Sequence, residues 1–181
     1  MSYLKLDGFA LAPCGDANHC HAIGGAENLY FVCDLYSRWI KLFEKIRNSG
    51  ESGKSLYINM TSYMNLSPWW LQWVNSIWLQ NSDDIGFAEN LDEQSRLDSE
   101  ITYRDSRYFD AFCTRSAQIP FGAIYNHEPI YGNKANVNYT DGEFEKYLYW
   151  NAVRGAGLNE FHLSPDMMSE EKWKAIKSAV Q

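Results

Sequence analysis

"SLYINMTSYMNLSPWWLQWVNSIWLQNSDD", Ser55 to Asp84, is the stretch that decides the fold class. Its first six residues, Ser55 to Met60, form a short apolar run that reads as a strand. Pro68 in "SPWWLQWVN" fits the first turn of a short helix, where a missing N–H has no helical partner to lose. "SIWLQ" then reads as a further strand. Short strand, polar loop, helix and strand again is the beat of a parallel α/β sheet.

The same beat continues on both sides. "SYLKLDGFAL" (Ser2 to Leu11) reads as a strand, and from Glu27 to about Asn48 the residues Leu29, Cys33, Tyr36, Ile40 and Phe43 recur at helical spacing until "NSGESG". Downstream, a polar segment leads to a helix around "YRDSRYFDAFCTR". "PFGAIYN" (Pro120 to Asn126) reads as the fourth strand, "DGEFEKYLYWNAVRGAG" as a helix closed by glycine, and "LNEFHLS" as the fifth strand. Ser169 can cap the last helix, with Glu170 and Glu171 in its first turn where the helix dipole favours negative charge. About five parallel βα units result, and a chain of 181 residues, 45% hydrophobic, suits one domain spanning 1–181.

The net charge of −7, with no Lys/Arg run, gives no electrostatic reason to expect a nucleic-acid partner. No apolar run approaches the length of a membrane span, and the start lacks the basic and apolar regions of a signal peptide. If Met1 is the natural start, the expected location is the cytoplasm. Four cysteines are too few for a disulfide scaffold in a chain of this size.

Polar residues gather at the predicted strand C-termini: Asp7, Asn59, Asp83, then Asn126, His127 and Glu128. In α/β architectures that edge is where active sites are built. Lys5 and Asp7 lie two apart on one strand and so face the same side. An Asp that merely ends a strand and caps its loop is the plain alternative for Asp7. A second carboxylate from the end of another strand, Asp83 or Asp84, would make acid–base and nucleophilic work on a glycosidic bond possible. "PCGDANHCHAIGG" holds Cys14, Asp16, His19, Cys20 and His21, but its spacing fits no usual zinc pattern, and it reads as a loop near the site mouth. His162 reads as a hydrogen-bonded core histidine. Of Trp69, Trp70 and Trp73, some must face outward.

Taken together, "YLKLD", "YINMTSYMNLSPWWLQWVNSIWLQNSDD", "IPFGAIYNHEPIYG" and "AVRGAGLNEFHLSPDMMSEEKWKAI" resemble the C-terminal part of the catalytic barrel of retaining α-galactosidases and α-N-acetylgalactosaminidases, glycoside hydrolase family 36 and its clan relatives. The resemblance implies a partial TIM barrel equivalent to strands 4 to 8, acting on terminal α-linked galactose or N-acetylgalactosamine. It implies Asp7 as nucleophile and Asp83 as general acid/base, with Lys5 bonded to sugar hydroxyls, Asn59 lining the pocket and Asp84 as a neighbour. Trp78, Asp84, His127 and Glu128 are further candidate substrate-binding residues; His127 and Glu128 are so by their place where a loop meets the fourth strand, with a hydrogen-bonded strand end as the plain alternative and Glu128 as the reserve acid/base. No metal or organic cofactor is implied. The chain departs from the pattern in two places: "MTSYMNLSPWW" stands where the family has a Cys and glycine cluster, and three residues, "LQN", separate Trp78 from Ser82.

On the same resemblance, strands 1 to 3 are missing. An open parallel sheet leaves an unpaired edge and an exposed apolar face. The expectation is therefore completion by a second copy, by a complementary barrel fragment, or by the rest of a longer enzyme. The rival expectation is a non-catalytic sugar-binding or assembly module derived from such a barrel.

Overall fold

The computed structural model describes residues 3–9, 16–18, 20, 28–51, 55–62, 66–79, 83–88, 94–132 and 137–179. The architecture is mixed α/β with parallel strands, in two compact units, Met1–Trp78 and Leu79–Gln181.

In the first unit, β1 (Tyr3–Phe9), β2 (Tyr57–Ser62) and β3 (Ser76–Trp78) lie side by side in that order, all parallel. The register sets Leu4 beside Ile58, and Met60 beside both Leu6 and Ile77. Ile58, Met60 and Ile77 are fully buried and make this the apolar face. Helix α1 (Leu29–Arg47) starts at Asn28, whose Oδ1 accepts from the N–H of Tyr30 at 3.0 Å and Phe31 at 3.4 Å. Lys45 and Arg47 in its last turn face the negative end of the helix dipole. Arg47 also donates to the carbonyls of Leu56 and Trp73 and to Asn75 Oδ1, tying the helix end to the strand entrances. The short helix at Pro68 is a 3-10 helix, Pro68–Gln72, in which Trp70 is buried and Trp69 exposed.

The second unit holds helix α2 (Arg96–Phe109), extended by a π-turn over Asp110–Thr114, then β4 (Ile124–Asn126) and β5 (Ile130–Tyr131). Helix α3 (Asp141–Arg154), β6 (Leu158–Asn159), β7 (His162–Leu163) and α4 (Glu170–Ala179) follow. β4 pairs in parallel with β6, and Leu79 donates its N–H to the carbonyl of Tyr125 at 2.8 Å. β5 pairs in parallel with β7 as a separate two-stranded sheet. The stretch read as one fifth strand is thus two, split at Glu160 and Phe161. The core includes Leu97, Ile101, Ile130, Tyr131, Phe144 and Leu148.

Ends and turns follow from local chemistry. Thr140 and Glu143 form a reciprocal capping box at α3, whose far end closes on Gly155 in a left-handed conformation, φ 77°. Ser169 caps α4 by accepting from the N–H of Lys172 at 3.1 Å. Among the described residues, no helix is long and apolar enough to cross a membrane.

Candidate functional site

In the first unit, Lys5, Asn59 and Ser76 occupy one register level across β1, β2 and β3, so their side chains share a face. Asn59 is fully buried; its Oδ1 accepts from Ser76 Oγ at 2.8 Å and its Nδ2 donates to Tyr3 Oη at 3.2 Å. Asp7, two residues beyond Lys5, is exposed, and the β1–β2 register shifts between Leu6 and Phe9. β1 therefore runs past Asp7 instead of ending there, with an irregularity beside it, a feature common at barrel rims and active sites. Trp78 is buried, with its ring packed in the core.

In the second unit, the segment carrying Asp83 and Asp84 is held through its backbone. The N–H of Asp83 donates to Tyr103 Oη at 2.8 Å. Nη2 of Arg104 donates to the carbonyls of Asp83 at 3.1 Å and Asp84 at 3.0 Å. The Asp83 side chain is exposed, while that of Asp84 is half-exposed with Oδ1 3.5 Å from His127 Nε2. Gly86 keeps this loop close: a Cβ there would overlap the Tyr103 ring.

Arg104 owes its position to Glu128. Its Nε lies 3.1 Å from Glu128 Oε1, and Arg154 pairs with Oε2 of the same carboxylate. Arg154 also reaches Asp105 at 2.7 Å and Asn151 Oδ1 at 2.8 Å. Charges this deep persist only when paired and hydrogen-bonded. Burial, followed by the negative charge of Glu128, pushes the neighbouring Tyr108 hydroxyl up to about 12, and it accepts from Asn126 Nδ2 at 2.7 Å. Tyr147, whose hydroxyl lies 3.5 Å from Glu128 Oε1, is also raised, chiefly by burial.

Beside it lies a second cluster. His127 Nδ1 is 2.9 Å from His162 Nε2 and 3.1 Å from Glu160 Oε2. The Tyr125 hydroxyl donates to Glu160 and stands 3.0 Å from His127 Nε2. His127 is buried, but the side chains of Glu160 and His162 remain 31% and 29% exposed, so His162 sits at a rim and not in the core.

No family model, curated protein or solved structure matches this chain.

Asp83, Asp84, His127 and Glu128 thus share one neighbourhood in the second unit, and in the first Lys5 and Asn59 share one strand face, with Asp7 two residues on at the irregularity. Reading the sequence missed Tyr103, Arg104, Tyr125, Arg154 and Glu160. One signal was present for the last: Glu160 and His162 alternate in "NEFH" and so can share a face, as Lys5 and Asp7 do in "KLD". In the Cys/His loop, Cys14, His19 and His21 lie outside the described residues. The Cys20 carbonyl accepts from Arg38 at 2.6 Å.

Proposed function

We propose that the chain is the carboxylate-bearing part of a retaining α-galactosidase or α-N-acetylgalactosaminidase of the family 36 type, a partial TIM barrel equivalent to strands 4 to 8. A succession of parallel strands with polar residues at their ends is consistent with such a partial barrel. The reading rests most on Asp83. Its carboxylate is exposed while its own backbone is tied on both sides, to Tyr103 and to Arg104. A general acid/base needs that combination of access and positional constraint. The irregular register next to Asp7, and the alignment of Lys5 with Asn59, support the nucleophile and the sugar-binding role.

In this mechanism Asp7 attacks the anomeric carbon as Asp83 protonates the departing oxygen. Asp83 then takes a proton from water, which releases the sugar from Asp7. Lys5 binds sugar hydroxyls, and Asn59 lines the same pocket. Completion of the pocket by a second copy or by a complementary fragment belongs to the same proposal.

The test is hydrolysis of nitrophenyl α-galactoside and its N-acetyl analogue by the assembled enzyme, with oligomeric mass measured in parallel. Asp7→Asn and Asp83→Asn should each abolish turnover. Full activity of either variant would overturn the assignment.

A further inference from the structure

We propose that His127, Glu160 and His162 form a binding site for a divalent ion of the zinc class. The inference goes beyond the glycosidase reading and does not depend on it.

Three potential ligand atoms converge: His127 Nδ1, His162 Nε2 and Glu160 Oε2, separated by 2.9, 3.1 and 3.7 Å. A point lifted about 0.7 Å out of their plane lies about 2.0–2.1 Å from all three, the usual zinc–nitrogen and zinc–oxygen distance. Three corners of a tetrahedron around zinc are about 3.4 Å apart, so the triangle is close to a coordination face. Two imidazoles and one carboxylate suit zinc, cobalt or nickel better than calcium or magnesium, which prefer all-oxygen shells.

The ligands come from two segments, His127 from the connection between β4 and β5 and Glu160 and His162 from the stretch that joins β6 to β7, and backbone hydrogen bonds tie the second segment to the first. The N–H of Glu160 donates to the Asn126 carbonyl and that of His162 to the Pro129 carbonyl, each at 3.0 Å. An outer layer is present too. With Nδ1 on the ion, His127 carries its proton on Nε2, which lies 3.5 Å from Asp84 Oδ1, while the Tyr125 hydroxyl stands beside the ring, 3.0 Å from Nε2 and 3.2 Å from Nδ1. Tyr125 in turn donates to Glu160. Carboxylate and hydroxyl partners of this kind orient metal-binding histidines and carboxylates. The partial exposure of Glu160 and His162 gives an ion a way in and leaves room for water as the fourth ligand.

The test is calorimetric titration of the full chain with Zn2+ after thiol alkylation, since Cys20, Cys33 and Cys113 are exposed and would compete. One Zn2+ per chain is expected. Glu160→Gln and His162→Ala should each weaken binding at least tenfold, while far-ultraviolet circular dichroism stays unchanged. Glu160→Gln is nearly isosteric and decides the matter if His162→Ala fails to fold. Co2+ should give visible d–d bands of a low-coordinate site without thiolate charge transfer. Absence of stoichiometric Zn2+ binding by the folded chain, or undiminished affinity in Glu160→Gln, overturns the proposal.

Discussion

Arg104 and Glu128 are paired at 3.1 Å with both side chains only 2% exposed, and the same guanidinium holds the carbonyls of Asp83 and Asp84. One buried cation thus ties the strand end carrying Glu128 to the loop presenting the candidate acid/base.

Removing that cation leaves Glu128 with Arg154 and the distant Tyr147 hydroxyl, and releases two loop carbonyls. Arg104→Met should destabilise the chain by about 3–5 kcal/mol, the usual cost of breaking a buried ion pair on one side. Urea denaturation checks this. A loss below about 1 kcal/mol would mean that Arg154 and water suffice.

Tyr103→Phe removes the hydroxyl that accepts from the Asp83 N–H. A stability loss of about 1 kcal/mol is expected, typical of one hydrogen bond. Amide exchange at Asp83 should speed up. Gly86→Ala attacks the same contact from the other side, because the added methyl meets the Tyr103 ring, and should cost about 1–3 kcal/mol by overpacking. If Gly86→Ala is neutral by the same urea assay, the loop is not pressed against Tyr103.

Thr140 begins α3 with a complete capping box. Thr140→Ala should lower stability by about 1 kcal/mol. Thr140→Ser should restore most of it, and thermal denaturation of the two variants separates a cap effect from general damage.

Titration gives a signed expectation. Lys146 and the Ser95 hydroxyl hold the Asp98 carboxyl below its usual range, Ser169 and Lys172 do so for Asp141, and Thr140 for Glu143. Stability from groups depressed in the fold is complete above their unfolded values near about 4, and is lost as pH falls through the lower folded values. The urea midpoint should therefore drop on acidification below that range, less steeply in Asp98→Asn. Glu100 runs the other way, since burial raises its carboxyl. The advantage of its protonated form is present at low pH and disappears as pH rises through the folded value. Glu100→Gln should then be more stable than the parent near neutral pH, with the gap closing in acid. A variant less stable than the parent at pH 7 would show that the Arg96 contact outweighs burial.

Much of this was legible in the sequence. α1 and α3 declare themselves through apolar spacing and end signals, and the capping Ser169 needs no tertiary context. α2 was legible only in its second half. Its first turns bury Glu100 and Arg104 along with Leu97 and Ile101, and charged residues on an inward face erase the apolar period. β5 escaped notice because two residues are too few to show alternation. With β5 unseen, "LNEFHLS" could only be read as a single strand. In the candidate site, Asp83, His127 and Glu128 stand out as polar residues at strand ends. Arg104 and Arg154 do not, because their bonds to Glu128 span 24 and 26 residues.

β6 follows the ladder of β4, and β7, two residues later, follows that of β5. The side-chain triangle of His127, Glu160 and His162 bridges that change of partner. A parallel strand as short as β7 has little to oppose sliding along its neighbour, and a two-residue slip would keep every side chain on its proper face. Such a slip would carry His162, and Glu160 two residues before it, about 6.6 Å along the strand and away from His127. The contacts of His127 with Glu160 and His162 therefore favour the alignment of β5 and β7 in which the three side chains meet, alongside the backbone bonds that join the same segments.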